Sequence, residues 1–465
     1  MDGAGDLAFL VLAAGKGTRM RSQRPKVLHP VCGRPMLLHV TALGRELGAK
    51  RCVVITGSCE DEVREALEDE SVEVVTQAEQ LGTAHAVLQA RDQLREHRGL
   101  VVVIHGDQPL YRASTLEKLL EVYRSRSADL ALLVGEFPDP TGYGRIVRDP
   151  DARIERIVEE SEASPEVRAL HEVNLGVYVA QAPFLFDTLA RIGDRHEKKE
   201  LYLTDVVELA LEAGQRVETA RVEDWTEAIG VNDRADLARA ESVLRKRIGL
   251  HWMSQGVTLV DPERTYIDID VEIGPDTVLE PGCSLRSGTR IGSDGRIEAN
   301  VVIDASSLGD GVWIKPHCWI VQSSVGDGCI IGPSAHLRPD NHIEENVRIG
   351  NFVEVKNSNI GRGSKADHLS YIGDADVGEN VTIGCGAITV NYDGQKKSRT
   401  VIGDRSFVGC NANLIAPVKL EPDAYIAAGS TITKDVPSNA LGVGRAQQRN
   451  IEGWRQRRFD KKGKE

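Results

Sequence analysis

The hydrophobic pattern of this chain changes period once. Up to about residue 232, short apolar runs alternate with amphipathic stretches. The runs from Leu7 to Val11, Arg51 to Thr56, Val72 to Thr76, Leu100 to His105, Asp129 to Val134 and Asn174 to Ala180 are unbroken and of strand length, as buried parallel strands require. Helical spacing fills Arg34 to Leu47 and Thr83 to Arg95 between them. This alternation predicts an α/β domain over 1–232, a Rossmann-like and mainly parallel sheet with helices on both faces, whose ligands collect at the carboxyl ends of the strands. Asn232 or Asp233 then caps an amphipathic linker helix over 233–255, with Leu237, Ala240, Leu244 and Ile248 on one face and an end before Gly256.

From 256 to 444 the period is six. Aliphatic residues recur every sixth position from Ile273 to Ile303, resume after one-residue slips at Leu308, Val325, Ile360 and Val377, and return after a break near Asn391 to Thr400, running from Ile402 to Ile432. One inward aliphatic per six residues, with frequent Gly-Asp and Gly-Glu turns, predicts a parallel β-helix. At about eighteen residues per triangular coil this is on the order of ten coils, rising ~4.8 Å each to a prism of ~48 Å. The segment 445–465 is basic and polar, with Arg455, Arg457, Arg458, Lys461, Lys462 and Lys464, and is expected to be a disordered, solvated tail beyond Trp454.

Composition narrows the class. A chain of 465 residues is expected to hold two or three domains. A formal net charge of -13 argues against nucleic acid as a partner. The eight cysteines form no C-x-x-C pair, which fits reduced thiols and neither a zinc site nor a disulfide framework. With Asp2 and Asp6 near its start and no run of transmembrane length, the chain shows no secretory leader or membrane span, so a cytoplasmic protein is expected.

Candidate chemistry lies where the apolar runs end. Leu12, Ala13, Ala14, Gly15, Lys16 and Gly17 follow the first run, with Arg19 and Lys26 beyond. Small residues let backbone N–H groups approach a ligand and the cations add charge, so the stretch reads as a triphosphate cradle. It lacks the Walker spacing, which argues against a P-loop ATPase. Gln77 offers a donor and an acceptor side by side, as a pyrimidine edge requires, and Gly82 with Thr83 permits close backbone approach; the alternative is a solvated turn. The run Val101 to Gly106 drives a buried strand into Asp107. A carboxylate there either holds a cation such as Mg²⁺ or caps the next helix. Asn232 has the same two readings. Gly144 in a glycine turn, Glu159, and Asn174 at a strand start suit a sugar. In the repeat region Arg338 and Lys356 are phosphate ligands or ordinary surface charge. His368 is a structural histidine or a base, since an imidazole with its reference pKa of about 6.5 can take a proton from an amine at neutral pH. Asn391 to Gly394, followed by Lys396 and Lys397, forms a loop placed to cover a neighbouring coil.

These strings together resemble the bifunctional N-acetylglucosamine 1-phosphate uridylyltransferase/glucosamine 1-phosphate acetyltransferase family over nearly the whole chain. The resemblance implies a nucleotidyltransferase domain, a linker helix and a left-handed β-helix acetyltransferase domain. It implies that the glycine loop and the Pro25-Lys26 pair hold UTP, that Gln77, Gly82 and Thr83 read uracil, that Gly144, Glu159 and Asn174 hold the N-acetylglucosamine moiety, and that Asp107 and Asn232 bind Mg²⁺. Arg19 and Lys26 then neutralise charge during uridylyl transfer. In the second domain it makes His368 the base, with Arg338 and Lys356 on the sugar phosphate, Tyr371 and Asn391 on the amino sugar, and Cys385, Asn391, Tyr392, Cys410, Ala428 and Arg445 along acetyl-CoA.

The chain departs from that pattern at four places. His105 replaces an expected tyrosine and is read as standing behind the residues that touch ligand. Asp367 replaces glycine, and its charge favours protonated His368 and opposes its use as a base. Cys385 and Cys410 stand for alanine and serine. A homotrimer through the β-helix, with sites between subunits, is expected. The alternative reading is a nucleotidyltransferase whose β-helix only organises subunits.

Overall fold

The computed structural model describes residues 6–57, 59–68, 70–193 and 200–459. Lys461, Lys462 and Lys464 of the tail lie outside the described residues. The chain separates into two compact units, 1–247 and 248–465.

The first unit is built on strands β1 (Leu7–Ala13), β2 (Arg51–Thr56), β3 (Glu73–Thr76), β4 (Leu100–His105), β5 (Leu130–Glu136), β6 (Arg145–Arg148), β7 (Ile154–Val158), β8 (Glu172–Gln181) and β9 (Val217–Arg221). The sheet runs β9-β5-β8-β4-β1-β2-β3, with the β6–β7 hairpin attached to β8. Every neighbouring pair on that path is parallel except those made by β8, which is antiparallel to both β4 and β5. The unbroken apolar runs follow from burial on both faces. Leu7, Phe9, Val11 and Ala13 of β1 enter one core, with Leu37, Val40, Leu116 and Leu119 from helices. Ala8, Leu10 and Leu12 enter the other, with Ala84, Val87, Leu185 and Val206. Each fully buried aliphatic contributes roughly 1.5–3 kcal/mol. The helix expected over Thr83 to Arg95 is regular only over Thr83–Leu88 and continues as turns.

A single helix, Arg234–Ser254, crosses the boundary between the units. Asp233 caps it, its Oδ1 accepting from the N–H groups of Ala235 at 2.8 Å and Asp236 at 3.0 Å. No helix among the described residues is long and apolar enough to cross a membrane.

In the second unit three parallel sheets of 11, 10 and 9 strands form the faces of the prism. One column reads Ile273, Ile291, Leu308, Val325, Ile343, Ile360, Val377, Ile402 and Leu420, each paired with the next. Every register position predicted from the six-residue period is buried. The slips shorten a corner by one residue without shifting the ladder. The break near Asn391 is an insertion at a corner, after which Val377 still pairs with Ile402. The winding is consistent with the expected left hand. Beyond Trp454 the expected disorder is replaced by a short exposed helix, Trp454–Phe459.

Candidate active sites

The first cluster lies at the carboxyl ends of β1, β3 and β4. A cavity of about 310 Å³ is lined there by Leu12, Ala13, Ala14, Gly15, Lys26, Gln77, Gly82, Thr83 and Asp107 from the expected set. Gly17 is required on two counts. Its φ is +58°, and a Cβ there would come within 2.6 Å of the Lys26 Cβ, so the loop can fold back onto Lys26 only with glycine at this position. Lys26 Nζ is paired with Asp107 Oδ2, both largely buried. Asp107 therefore does not cap a helix; its carboxylate faces the loop. Arg19 donates to Asn232 Oδ1 at 2.9 Å, and Val231 N–H donates to the Asp107 carbonyl at 2.9 Å, which sets the two candidate metal ligands side by side. Each offers a hard oxygen, and each oxygen already faces a cation. A donor set of one carboxylate and one amide oxygen suits Mg²⁺, which takes few protein ligands and completes its shell with phosphates and water.

Gln77 is buried in the pocket wall, but its Nε2 contacts Gly82 O and His85 Nδ1, both at 3.0 Å. The donor expected to read a base edge is turned to its own loop. Gly144, Glu159 and Asn174 form one corner. Asn174 N–H donates to Gly144 O at 2.9 Å, and a Cβ on Gly144 would lie 3.6 Å from Glu159 Oε1. Asn174 Nδ2 donates to the Tyr178 hydroxyl at 2.8 Å, which fixes the amide. Lys16 is exposed and does not line the cavity.

Four residues at this site are missed or misplaced by the sequence reading. His105 lines the pocket, so it does not stand behind the contacting residues; burial holds its pKa below the ordinary value, with the Asp107 charge opposing. Gln80 donates from Nε2 to Ala14 O at 2.7 Å and ties down the glycine loop. Only its place in the run 79–83 signals this. Glu200 and Tyr202 close the wall from a loop with no pattern of its own; burial and the neighbouring Glu200 push the Tyr202 hydroxyl up to about 12.

The prism carries a second cluster on two of its corners. At one, His368 Nδ1 contacts Asn351 Oδ1 at 2.8 Å, beside a cavity of about 210 Å³ lined by Lys315, Arg348, Asn351, Asp367 and His368. The amide oxygen only accepts, so Nδ1 is the donor in this contact, and in the neutral imidazole that arrangement leaves the lone pair on Nε2. Asp367, expected to oppose His368, has another partner, Arg348 at 3.6 Å. Cys385, Cys410 and Ala428 occupy the same corner on successive coils: Asn411 N–H donates to Cys385 O at 2.7 Å and Gly429 N–H to Cys410 O at 2.8 Å. Arg445 then donates to Ala428 O at 2.9 Å. From His368 to Arg445 this column spans four coil steps, ~19 Å.

At the next corner Arg338 and Lys356 sit on adjacent coils, Arg338 bonded to Glu354 at 3.0 Å. Lys356 stands against Lys397, whose pKa it lowers by hydrogen bonding and by charge, with Asp374 opposing. Asn391 Nδ2 donates to Asp374 and, at 3.3 Å, to the Tyr371 hydroxyl. His368 is not part of this cluster. Tyr371 links the two corners, starting three residues after His368 and reaching Asn391 with its hydroxyl. Asn351 and Lys397 were not singled out as site residues. Asn351 lies one coil below His368 in register, a relation the period contains. Tyr392 is exposed in the inserted loop.

Comparison with known proteins joins the two clusters. Residues 9–173 match the MobA-like NTP transferase domain, and residues 322–357 and 399–434 match the bacterial transferase hexapeptide (six repeats). "Bifunctional protein GlmU" of Listeria monocytogenes serotype 4a is 48% identical over 445 residues, 96% of this chain and 97% of its own. The proteins of the same name from Geobacillus sp. and Shouchella clausii are 48% and 46% identical over 445 residues, 96% of this chain, and 96% and 98% of their own lengths. The chain belongs to the GlmU family. Both GlmU halves are present, a nucleotidyltransferase domain with a Rossmann-like sheet and a hexapeptide-repeat β-helix, and the two clusters fall one in each.

Proposed function

We infer that the chain makes UDP-N-acetylglucosamine by two reactions, acetyl-CoA-dependent N-acetylation of glucosamine 1-phosphate and then uridylyl transfer from UTP to N-acetylglucosamine 1-phosphate, releasing pyrophosphate. The observation that carries this reading is full-length membership of a bifunctional family in a chain whose two halves each hold a formed polar cluster.

In the first unit the N–H groups of Ala13 to Gly17 cradle the triphosphate, and Arg19 and Lys26 exchange their present oxygens for phosphate. The phosphate oxygen of the sugar attacks the α-phosphorus of UTP in line and pyrophosphate leaves, the two cations meeting the charge that develops. Gly144, Glu159 and Asn174 orient the sugar, and Gln77, Gly82 and Thr83 line the base end. Asp107 and Asn232 would hold Mg²⁺, which when bound neutralises phosphate oxygens.

In the prism the sugar lies along Tyr371, its phosphate between Lys356 and Lys397 with Arg338 nearby, and its amine toward His368. Two ammonium groups set against each other gain from an anion between them. Nε2 of His368 takes the amine proton as the nitrogen attacks the thioester carbonyl, and CoA leaves as its thiol. The column Cys385, Cys410, Ala428 and Arg445 carries the CoA arm, and Asn391 and Tyr392 of the inserted loop are its further contacts. Phe352 and Leu369, which follow the register pair Asn351 and His368 on successive coils and are 61% and 58% exposed, favour a homotrimer in which a second copy covers them.

A coupled assay tests the reading. With glucosamine 1-phosphate, UTP, Mg²⁺ and acetyl-CoA, UDP-N-acetylglucosamine, pyrophosphate and free CoA thiol appear. Omitting acetyl-CoA abolishes the sugar nucleotide; an unchanged yield would leave the β-helix as a mere scaffold.

A further inference from the structure

The proposed acetyl-CoA track carries two thiols that the chemistry does not use. Cys32, Cys52, Cys283, Cys318 and Cys329 are buried and Cys59 half-buried, whereas Cys385 and Cys410 are exposed. Burial pushes Cys52 up to about 12 and Cys283, Cys318 and Cys329 up to about 11, which keeps those four from reacting as thiolates. The exposed pair differs in placement as well as in exposure. The ladder Thr382↔Phe407, Ile383↔Val408 runs into their corner and continues through it. Gly384 N–H donates to Val408 O at 2.8 Å and Asn411 N–H to Cys385 O at 2.7 Å. Cys385 and Cys410 are thus register neighbours on successive coils. Such neighbours in a parallel sheet lie about 5 Å apart, inside the Cα separation of roughly 4.4–6.8 Å that a disulfide spans. Their separation of 25 positions in sequence, against 17 from His368 to Cys385, reflects the inserted loop, which does not disturb this register.

We propose that Cys385 and Cys410 form a reversible thiol-modification site, a cross-coil dithiol oxidised by low-molecular-weight disulfides, whose closure slows acetyl transfer and leaves uridylyl transfer running. One cysteine thiolate attacks a sulfur of R–S–S–R, forming a mixed disulfide and expelling RS⁻. The second thiolate then attacks the protein sulfur of that mixed disulfide, closing the Cys385–Cys410 bond and expelling the other RS⁻. The two cysteines are oxidised, the external disulfide is reduced to two thiols, and the two cysteine protons pass through solvent to them. The mixed disulfide lays R across the column between His368 and Ala428. The closed bridge draws its two Cβ atoms to about 3.8 Å, tighter than the ~4.8 Å coil spacing, and so reshapes the corner along which the thioester arm lies. The effect on rate rests on the acetyl-transfer reading above. Formation of the bridge does not.

The test uses the full chain, oxidised glutathione as the disulfide, and peptide mapping beside both activity assays. The wild type is expected to yield a peptide pair joined through Cys385 and Cys410, without a glutathione adduct. Acetyl transfer falls about tenfold to a hundredfold, recovers with dithiothreitol, and uridylyl transfer holds. Cys410→Ser is expected to stop at a glutathione adduct on Cys385. The double variant Cys385→Ala/Cys410→Ser, compared with its own untreated rate, becomes insensitive to the disulfide. Absence of the joined peptides, or a bridged protein that transfers acetyl at its reduced rate, overturns the proposal. A bridged protein whose reduced form never transferred acetyl overturns the function reading and leaves the dithiol standing.

Discussion

In the first unit the groups lining the pocket come from residues 12–15, 26–27, 77–86, 105–107 and 200–202, whereas along one edge of the prism Asn351, His368, Cys385, Cys410 and Ala428 follow at one coil step each. The first arrangement depends on topology. Strands distant in sequence are neighbours in the sheet, and loops at their ends converge. Its parts are held by specific contacts, Lys26 on Asp107, Arg19 on Asn232 and Gln80 on Ala14. The second depends on repetition. A residue is placed because the ladder beneath it is in register, and a chemical group is added by substituting one corner position. A converging site is therefore sensitive to the loss of single polar contacts, and a stacked one to the loss of its column.

The largest effect should fall on the base. His368→Ala is expected to lower acetyl transfer by about 10²–10⁴-fold with uridylyl transfer unchanged, read by thiol release and pyrophosphate release on the same preparation. Next comes the column. Leu337 is fully buried and pairs with Ile320 below and Val355 above, so Leu337→Ala should destabilise the prism by about 2–5 kcal/mol, seen as an earlier urea transition of acetyl transfer.

The units should also differ in acid. His39 is buried in the first unit and meets Val31 O at 2.9 Å. Burial holds its pKa at about 4, against 6.5. The unfolded chain takes up a proton below pH 6.5 that the folded unit refuses until about pH 4, so this contribution is complete above 6.5 and is lost as pH falls. Between pH 7 and pH 5 the loss is about 2 kcal/mol. None of His317, His336, His342 and His368 in the prism is buried. Urea midpoints at the two pH values should show the drop for uridylyl activity, and His39→Gln should flatten it. The smallest effect is expected for Gln80→Ala, which frees the Ala14 carbonyl and should cost uridylyl transfer about three- to tenfold in kcat/KM for UTP.

The same contrast governs what the sequence reveals. The prism could be read almost residue by residue because one inward aliphatic per six leaves little freedom, and even the slips proved to be corner lengths. Six of the strands β1–β9 of the first unit were legible from apolar runs, to within two residues at their ends, whereas β6, β7 and β9, which interleave charged and apolar residues, were not read. The pocket of that unit was only partly legible. Gly17, Lys26 and Asp107 sit in patterned strings, but Gln80 and Tyr202 owe their places to where loops return, which no local spacing records. The donors of Gln77, spent within its loop, and the pairing of Asp367 with Arg348 are likewise three-dimensional facts. The helix at Trp454 went unforeseen because basic composition masked a short helical segment.

The central claim is that one chain holds two separable sites, and a pair of single variants tests it most directly. Given glucosamine 1-phosphate, acetyl-CoA and UTP with Mg²⁺, Asp107→Ala should accumulate N-acetylglucosamine 1-phosphate without sugar nucleotide. His368→Ala should form neither, yet convert added N-acetylglucosamine 1-phosphate, and mixing the two proteins should restore UDP-N-acetylglucosamine. Loss of both reactions in either folded variant, or no restoration on mixing, would contradict the account.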